Sequence, residues 1–530
     1  MKKRFLKSVL ASVLCASTCF GVVGCGGSTV DDNDTSTLRI AICNQGYGRA
    51  WLDDAMKLFK EQQWVKDKYG EVKFAEPYET RDVAYASNQV NLGPSNKYDL
   101  LFTGKTDFKT VSESSYFEDL TPLLEKTVPG ENIKVGDKMK KDIKNSAYTI
   151  DKKDLNDDSA VGKIFGMPWV DGYHGILVND TLVREKLGNE FTGYPRTTQE
   201  LVEFADVLKD TDVAPFVFSL GANYWMHIVE TWWAQYEGVQ GYYDYFNGYY
   251  NDERSYNIGR QKGKLYALQA LENIVKLSNG YCHDYVGADY IETQISFYKR
   301  EAFMMPNGDW IENEMKDIIP ASPSKNDTIF FIKMPIVSNI VEKLSFKDEA
   351  NAEEQLRNII AQIDANKTYE EAKEVVTNLK ESDYNRVKDA RGIYANEDGS
   401  IGYVPNYAVS KDLAKDFLLF LSTDIAIESF VKTTNGCKSP YTFDYNSIVG
   451  DDFKISAMHK GVMDFKDGTE TSLRNITTFP LVYYGGLTQC LKEYVPETPL
   501  YSGAETGESL WVKDQAELER RWTSILSNTF

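Results

Sequence analysis

Aromatic rings standing next to hydrogen-bonding side chains are the groups in this 530-residue chain most suited to recognition. Asn307-Gly308-Asp309-Trp310 sets an indole beside a carboxylate, and Asn223-Tyr224-Trp225 sets two rings beside an amide. Trp169, Asp171, Tyr173 and His174 fall within six positions, and Tyr47, Arg49 and Trp51 within five. Arg81, Asp82 and Asp107 add charge at two further points. A flat ring packs against a weakly apolar C–H face, while Asp, Asn and Arg hold neighbouring hydroxyls through paired hydrogen bonds. The combination suits binding of a neutral polar ligand.

Bond-breaking chemistry has no comparable signature. No G-x-S-x-G, H-E-x-x-H or phosphate-cradling P-loop occurs. Paired carboxylates for glycoside hydrolysis can always be found among 79 acidic residues, but no local pattern marks a pair. The 4 histidines (His174, His227, His283, His459) leave little room for a histidine-rich metal site, and no C-x-x-C spacing exists. Asn396-Glu397-Asp398-Gly399 has the look of a calcium loop. Aligned on its glycine, however, the first and last ligand positions fall on Tyr394 and Pro405, so it reads as a turn. No metal and no cofactor is expected.

The elements that must position these residues read as α/β. Strands are predicted over 38–43, 71–78 and 98–102, separated by helices over 50–62 and 81–92. That alternation argues a parallel sheet, whose ligands sit beyond the carboxyl ends of its strands, here at 44–49, 78–82 and 103–107. A second unit follows. It has a strand, a bend and a longer strand over 163–179, a helix over 198–209, and a strand over 214–220 ending just before Asn223. Helices over 264–278 and 289–299 and strands over 302–306 and 330–337 complete it. Charged helices are predicted between 349 and 379, then a return strand over 402–409, helices over 411–422 and 424–432, and a tail helix near 513–526. Trp232 and Trp233 lie inside a helix, at least one of them in the core, and Tyr242 to Tyr250 reads as a mobile flap or as core.

Residues 1–24 read as an address. Lys2, Lys3, Arg4 and Lys7 precede an apolar stretch too short to span a bilayer. Val22-Val23-Gly24-Cys25 resembles a bacterial lipobox, which implies cleavage before Cys25, its acylation by chains such as palmitate, and a tether over 25–37. The net charge of −20 leaves no basic stripe for a phosphate backbone, so nucleic acid is not an expected partner. Cys43, Cys282, Cys437 and Cys490 remain in the mature chain, either as buried thiols or with one pair bridged.

Three stretches resemble the carbohydrate-binding, extracellular solute-binding proteins of ABC transporters, the maltose-binding-protein type. They are Phe165-Gly166-Met167-Pro168-Trp169 through Gly175-Ile176-Leu177-Val178-Asn179, Ala302 through Trp310, and Tyr403-Val404-Pro405-Asn406-Tyr407-Ala408-Val409-Ser410 with the helix after it. The resemblance implies two α/β lobes closing like a hinge on a ligand. Lobe one would be 38–172 plus 403–436, and lobe two 177–400 with a helical insert at 340–400. The 437–530 tail would pack mainly on lobe two. It implies a membrane-anchored monomer at the extracellular face that hands an oligosaccharide to a permease, with no catalysis. A glycan-active secreted enzyme, or a binder of peptides or other polar solutes, is the alternative. The expected ligand contacts are Trp310, Asp309, Trp225, Tyr224, Asn223, Trp169, Asp171, Tyr173, Tyr47, Arg49, Trp51, Arg81 and Asp107. Gly172, Gly175 and Gly402 are expected to give the crossings freedom to bend.

Overall fold

The structure, a computed structural model, describes residues 34–82, 85–90, 95, 97–104, 116–146, 162–221, 224–276, 279–284, 286, 289–395, 400–450, 452–465, 470–476, 479–491 and 497–530. The leader, Cys25, most of the tether, Asp107, Asn223 and the Asn396–Gly399 turn lie outside the described residues. Among those described, no helix is long and apolar enough to cross a membrane.

The strands of the two main sheets are, in chain order, β1 (Ile40–Cys43), β2 (Tyr78–Thr80), β3 (Leu100–Thr103), β4 (Gly166–Pro168), β5 (His174–Asn179), β6 (Ala214–Phe216), β7 (Ala302–Gly308), β8 (Ile329–Ile332) and β9 (Ile401–Tyr403). The helices that matter here are α1 (Ala50–Glu61), α2 (Trp225–Glu237), α3 (Lys262–Val275), α4 (Ala352–Asp364) and α5 (Glu381–Gly392). They continue with α6 (Lys411–Phe420), α7 (Asp424–Thr433), α8 (Ala457–Phe465) and α9 (Gly507–Thr529).

One sheet has the order β2-β1-β3-β9-β4. β1 runs parallel to β2 and β3, and β9 is antiparallel to both β3 and β4. The other has the order β8-β5-β7-β6, with β5 antiparallel to β7 and β8, and β6 parallel to β7. Each sheet closes its own core. On the first, Ile40, Ile42 and Phe102 pack beneath Trp51, Leu52, Ala55 and Phe59, which share one face of α1, and beneath Phe417 and Phe420 of α6. On the second, Ile176, Val178 and Phe216 lie under Trp225, Trp232 and Trp233 of α2, Leu268 and Leu271 of α3, and Leu518, Trp522 and Ile525 of α9. The opposite face of that sheet meets Tyr173, Tyr394 and α8 through Met458, Val462 and Phe465.

Of the two readings of Tyr242 to Tyr250, the core one holds for Tyr242, Tyr245 and Phe246. Residues Val239–Asn247 are helical, and Tyr242 and Tyr245 are buried edge-on against Trp233, with ring centres 5.3 and 4.6 Å away. The helices α4 and α5 form a separate apolar cluster with Ile336 and Ile340. Arg391 fastens it: the guanidinium meets both Asp364 oxygens at 3.0 and 2.7 Å and donates to the Met334 carbonyl. A buried ion pair between Lys264 and Asp514 joins α3 to α9.

Three segments cross between the sheets: Trp169 to Tyr173, the chain entering β9, and the stretch from α7 to α8. Gly175 and Gly402 sit inside strands without a left-handed backbone. They make room: a Cβ on Gly175 would stand 2.6 Å from the Tyr173 ring, and one on Gly402 would stand 2.9 Å from Leu418 and from Phe102.

Candidate functional site

The exit of β1, the exit of β7 and the start of β5 converge, and the rings of the chain gather there. Tyr47 lies edge-on to Trp169 at 5.7 Å and to Trp310 at 6.0 Å. Trp310 also meets His174 at 4.9 Å and Tyr224 at 6.3 Å. Trp310 is only 8% exposed and belongs to the core cluster of the first sheet although it follows a strand of the second. It therefore plugs the junction between lobes. Two glycines allow this. A Cβ on Gly308 would come within 2.1 Å of the Trp310 ring, so the indole folds back over the strand end only past a glycine. Gly46 passes over the root of the same indole with φ at 67°, a conformation other residues rarely adopt.

Polar contacts join the lobes at the same place. The Tyr47 hydroxyl donates to Asp309 Oδ1 at 2.6 Å, and the Asn313 side chain donates to the Gly46 carbonyl. Asp309 is fully buried, and its backbone N–H donates to the Tyr173 carbonyl at 3.0 Å. Burial at this seam pushes the Glu314 carboxyl above the usual range, against the opposing hydrogen bond from Gln294. His174 and His227 stack with ring centres 3.6 Å apart, and His227 approaches Glu230 at 3.5 Å.

Of the residues singled out from sequence, Tyr47, Trp169, Tyr224, Asp309 and Trp310 come together. Trp169 also stacks face to face on Trp51 at 4.2 Å. Trp51 itself is core, 2% exposed under Phe102 and Phe430. Arg49 is engaged elsewhere, paired with Asp53, Glu76 and Glu79 at 3.0, 2.7 and 2.9 Å. Burial disfavours its charge, but these carboxylates outweigh it and hold the guanidinium protonated. Arg81 is exposed, its carbonyl accepting from Gln45, while Asp82 accepts from Asn88 at 2.6 Å.

Besides Trp51, three expected ligand contacts are corrected. Trp225 is fully buried between Phe216, Phe218 and Trp232, because the first turn of α2 faces down onto the second sheet. Tyr173 packs into the core against Phe331 and Phe465 at 5.2 and 5.3 Å. Asp171 is a clamp. Its carboxylate takes Lys140 at 2.5 Å and the Tyr394 hydroxyl at 3.2 Å, and its N–H donates to the Lys438 carbonyl at 2.8 Å. A cavity of about 680 Å³ opens beside these partners, lined by Lys140, Asp142, Tyr394, Lys438, Tyr445 and Glu470, and not beside Trp310. Sequence reasoning missed His227, Asn313 and Glu314. Asn313 was within reach of it, because it stands three residues after Trp310 and so shares one face of the same helical turn.

No protein-family model and no curated protein matches the sequence. Solved structures do match the fold over nearly its whole length. A structure titled for xylan utilization by Caldanaerobius polysaccharolyticus is 15% identical, with a TM-score of 0.57 over 91% of this chain and 99% of its own. A chitin oligosaccharide binding protein is 14% identical, with a TM-score of 0.58 over 92% and 98%. The solute-binding protein RafE in complex with raffinose is 11% identical, with a TM-score of 0.54 over 92% and 99%. The chain thus has the two-lobe α/β fold of solute-binding proteins.

Proposed function

We propose that this chain is a solute-binding protein that captures a carbohydrate of oligosaccharide length between its lobes and delivers it to the permease of an ABC transporter. The observation that carries this reading is the junction at Trp310, where Tyr47, Trp169, Tyr224 and Trp310 arrive from both sheets and from the crossing between them. Rings so placed stack on the C–H faces of a sugar; Asn313 stands at the same junction to hydrogen-bond its hydroxyls, Arg81 is the charged partner in this reading, and buried Asp309 holds Tyr47 in place instead of meeting the ligand. Asn223 and Asp107, expected from sequence as ligand contacts, lie outside the described residues. The structural neighbours agree in kind, two of them being titled for a chitin oligosaccharide and for raffinose. Binding performs no chemistry. A ligand touching both lobes favours the shut form and shifts the population toward it.

In this reading lobe one is 38–172 with 403–436, and lobe two is 177–400 with the 437–530 tail packed mainly on it. The division is supported by β9 pairing with β3 and β4, and by α9 lying in the core of the second sheet. Cys25 carries the lipid, and residues 25–37 tether a monomer to the outer face of the membrane. The test is calorimetric titration of the mature chain with a panel of oligosaccharides, followed by product analysis. Saturable binding of one sugar class, recovered uncleaved, is expected, weakened by about 1–3 kcal/mol in Trp310→Ala. Cleavage, or unchanged affinity in a folded Trp310→Ala protein, overturns the reading. Cys25→Ser is expected to move the protein out of the membrane fraction.

A further inference from the structure

We infer that Asp309, Cys437 and His459 form a binding site for one divalent transition-metal ion of the zinc type, set where the third crossing meets the exit of β7. One oxygen, one sulfur and one nitrogen from these three side chains lie within 4.8 Å of one another. The residues are 0%, 2% and 1% exposed, so the donors are shielded from competing water. Cys437 Sγ and His459 Nε2 are 3.1 Å apart. A tetrahedral ion with a sulfur bond of about 2.3 Å and a nitrogen bond of about 2.0 Å holds such atoms about 3.5 Å apart. The pair therefore needs to part by only a few tenths of an ångström to admit the ion. The Asp309 carbonyl oxygen, 3.0 Å from Nε2, adds a further oxygen at the same point.

The surroundings orient the donors as a metal requires. His459 Nδ1 faces Ser456 Oγ at 3.0 Å and the Glu312 carboxylate at 3.4 Å. A carboxylate on Nδ1 keeps a proton there, so the one lost on metal binding is the Nε2 proton that now faces the Asp309 carbonyl. The Tyr47 hydroxyl grips Asp309 Oδ1 and sets the plane of that carboxyl group. A mixed sulfur, nitrogen and oxygen set suits zinc and its neighbours and discriminates against magnesium and calcium, which take oxygen alone. On binding, the Cys437 S–H bond and the His459 Nε2–H bond that faces the Asp309 carbonyl both break, the two protons leave to solvent, and the thiolate sulfur and the freed Nε2 bond the ion. Because Asp309 belongs to the lobe junction, the ion would brace that junction from behind.

The test uses the full chain, stripped with a chelator and titrated with cobalt(II). A thiolate-to-cobalt charge-transfer band saturating at one equivalent is expected, displaced by one equivalent of zinc. The band should vanish in Cys437→Ser. Glu312→Gln alters a partly exposed residue outside the donor set and should weaken cobalt affinity about 10–100-fold without loss of fold. No band in the unaltered chain, a band surviving in Cys437→Ser, or unchanged affinity in a folded Glu312→Gln protein overturns the assignment.

Discussion

Tyr47→Phe removes a single oxygen and leaves the ring against Trp169 and Trp310. The lost group is the hydroxyl that donates across the lobes to Asp309 at 2.6 Å, within the range of a bond to a charged oxygen. Both partners are buried, at 5% and 0% exposure, so no water replaces the donor while the lobes stay shut. Hydrogen bonds to charged groups contribute about 1.5–3 kcal/mol. Opening hydrates both groups, so the whole loss falls on the shut form, and its population relative to the open form should drop about 10–150-fold. The cores of the two sheets do not use this bond, so secondary structure should persist. Small-angle scattering of the variant should give a larger radius of gyration than the unaltered chain, with an unchanged far-ultraviolet dichroism spectrum. Superimposable scattering profiles would refute the claim that this bond holds the junction.

Three further outcomes follow from packing and charge. Gly308→Ala should expel the Trp310 ring, costing about 1–3 kcal/mol in a urea titration, because its Cβ would stand 2.1 Å from ring carbons. Lys264→Met should destabilise the second lobe by about 3–5 kcal/mol by leaving Asp514 buried without its cation, whereas Lys264→Met with Asp514→Leu should restore most of that in the same titration. Burial alone would raise the Asp364 carboxyl, but Arg391 and Lys333 outweigh it and hold it below the usual range. Its stabilising contribution is therefore present above pH of about 4 and lost as pH falls through the depressed value. The gap in urea midpoint between the unaltered chain and Asp364→Asn should shrink from pH 7 toward about pH 3.

The alternation of strands and helices was legible because apolar periodicity is local. The crossing at Gly166–Asn179, the strand at Ala302–Gly308 and the helices at Lys411–Phe420 and Asp424–Thr433 lie close to where the spacing predicts them. The predicted strand over 71–78 is instead two short strands, Lys73–Phe74 and Tyr78–Thr80. The assignment of side chains to cleft or core was less legible. Trp225 and Trp310 both follow a strand end beside polar residues, yet one points into a core and the other bridges two lobes. That difference depends on which way the first helical turn rolls against a sheet assembled from distant residues. Asp171 reads as a ligand contact only while its partners are unknown. Lys140 stands 31 positions away and Tyr394 stands 223 away. The Asp309–His459 approach spans 150 positions and has no spacing motif to announce it.

The order of assembly is written into the sheet topology. Among the described residues, strand β9, residues 401 to 403, links β3 to β4 in the sheet, so an emerging chain has β4 ready long before it has this place to attach. The core of the other sheet waits still longer, since Leu518, Trp522 and Ile525 are among its last pieces. Contacts so far apart in sequence form slowly. Neither sheet can be completed on a fragment that lacks residues 401–403 or the last helix. A variant carrying the β9 sequence early, by circular permutation, should complete its first sheet sooner, seen as a faster refolding phase.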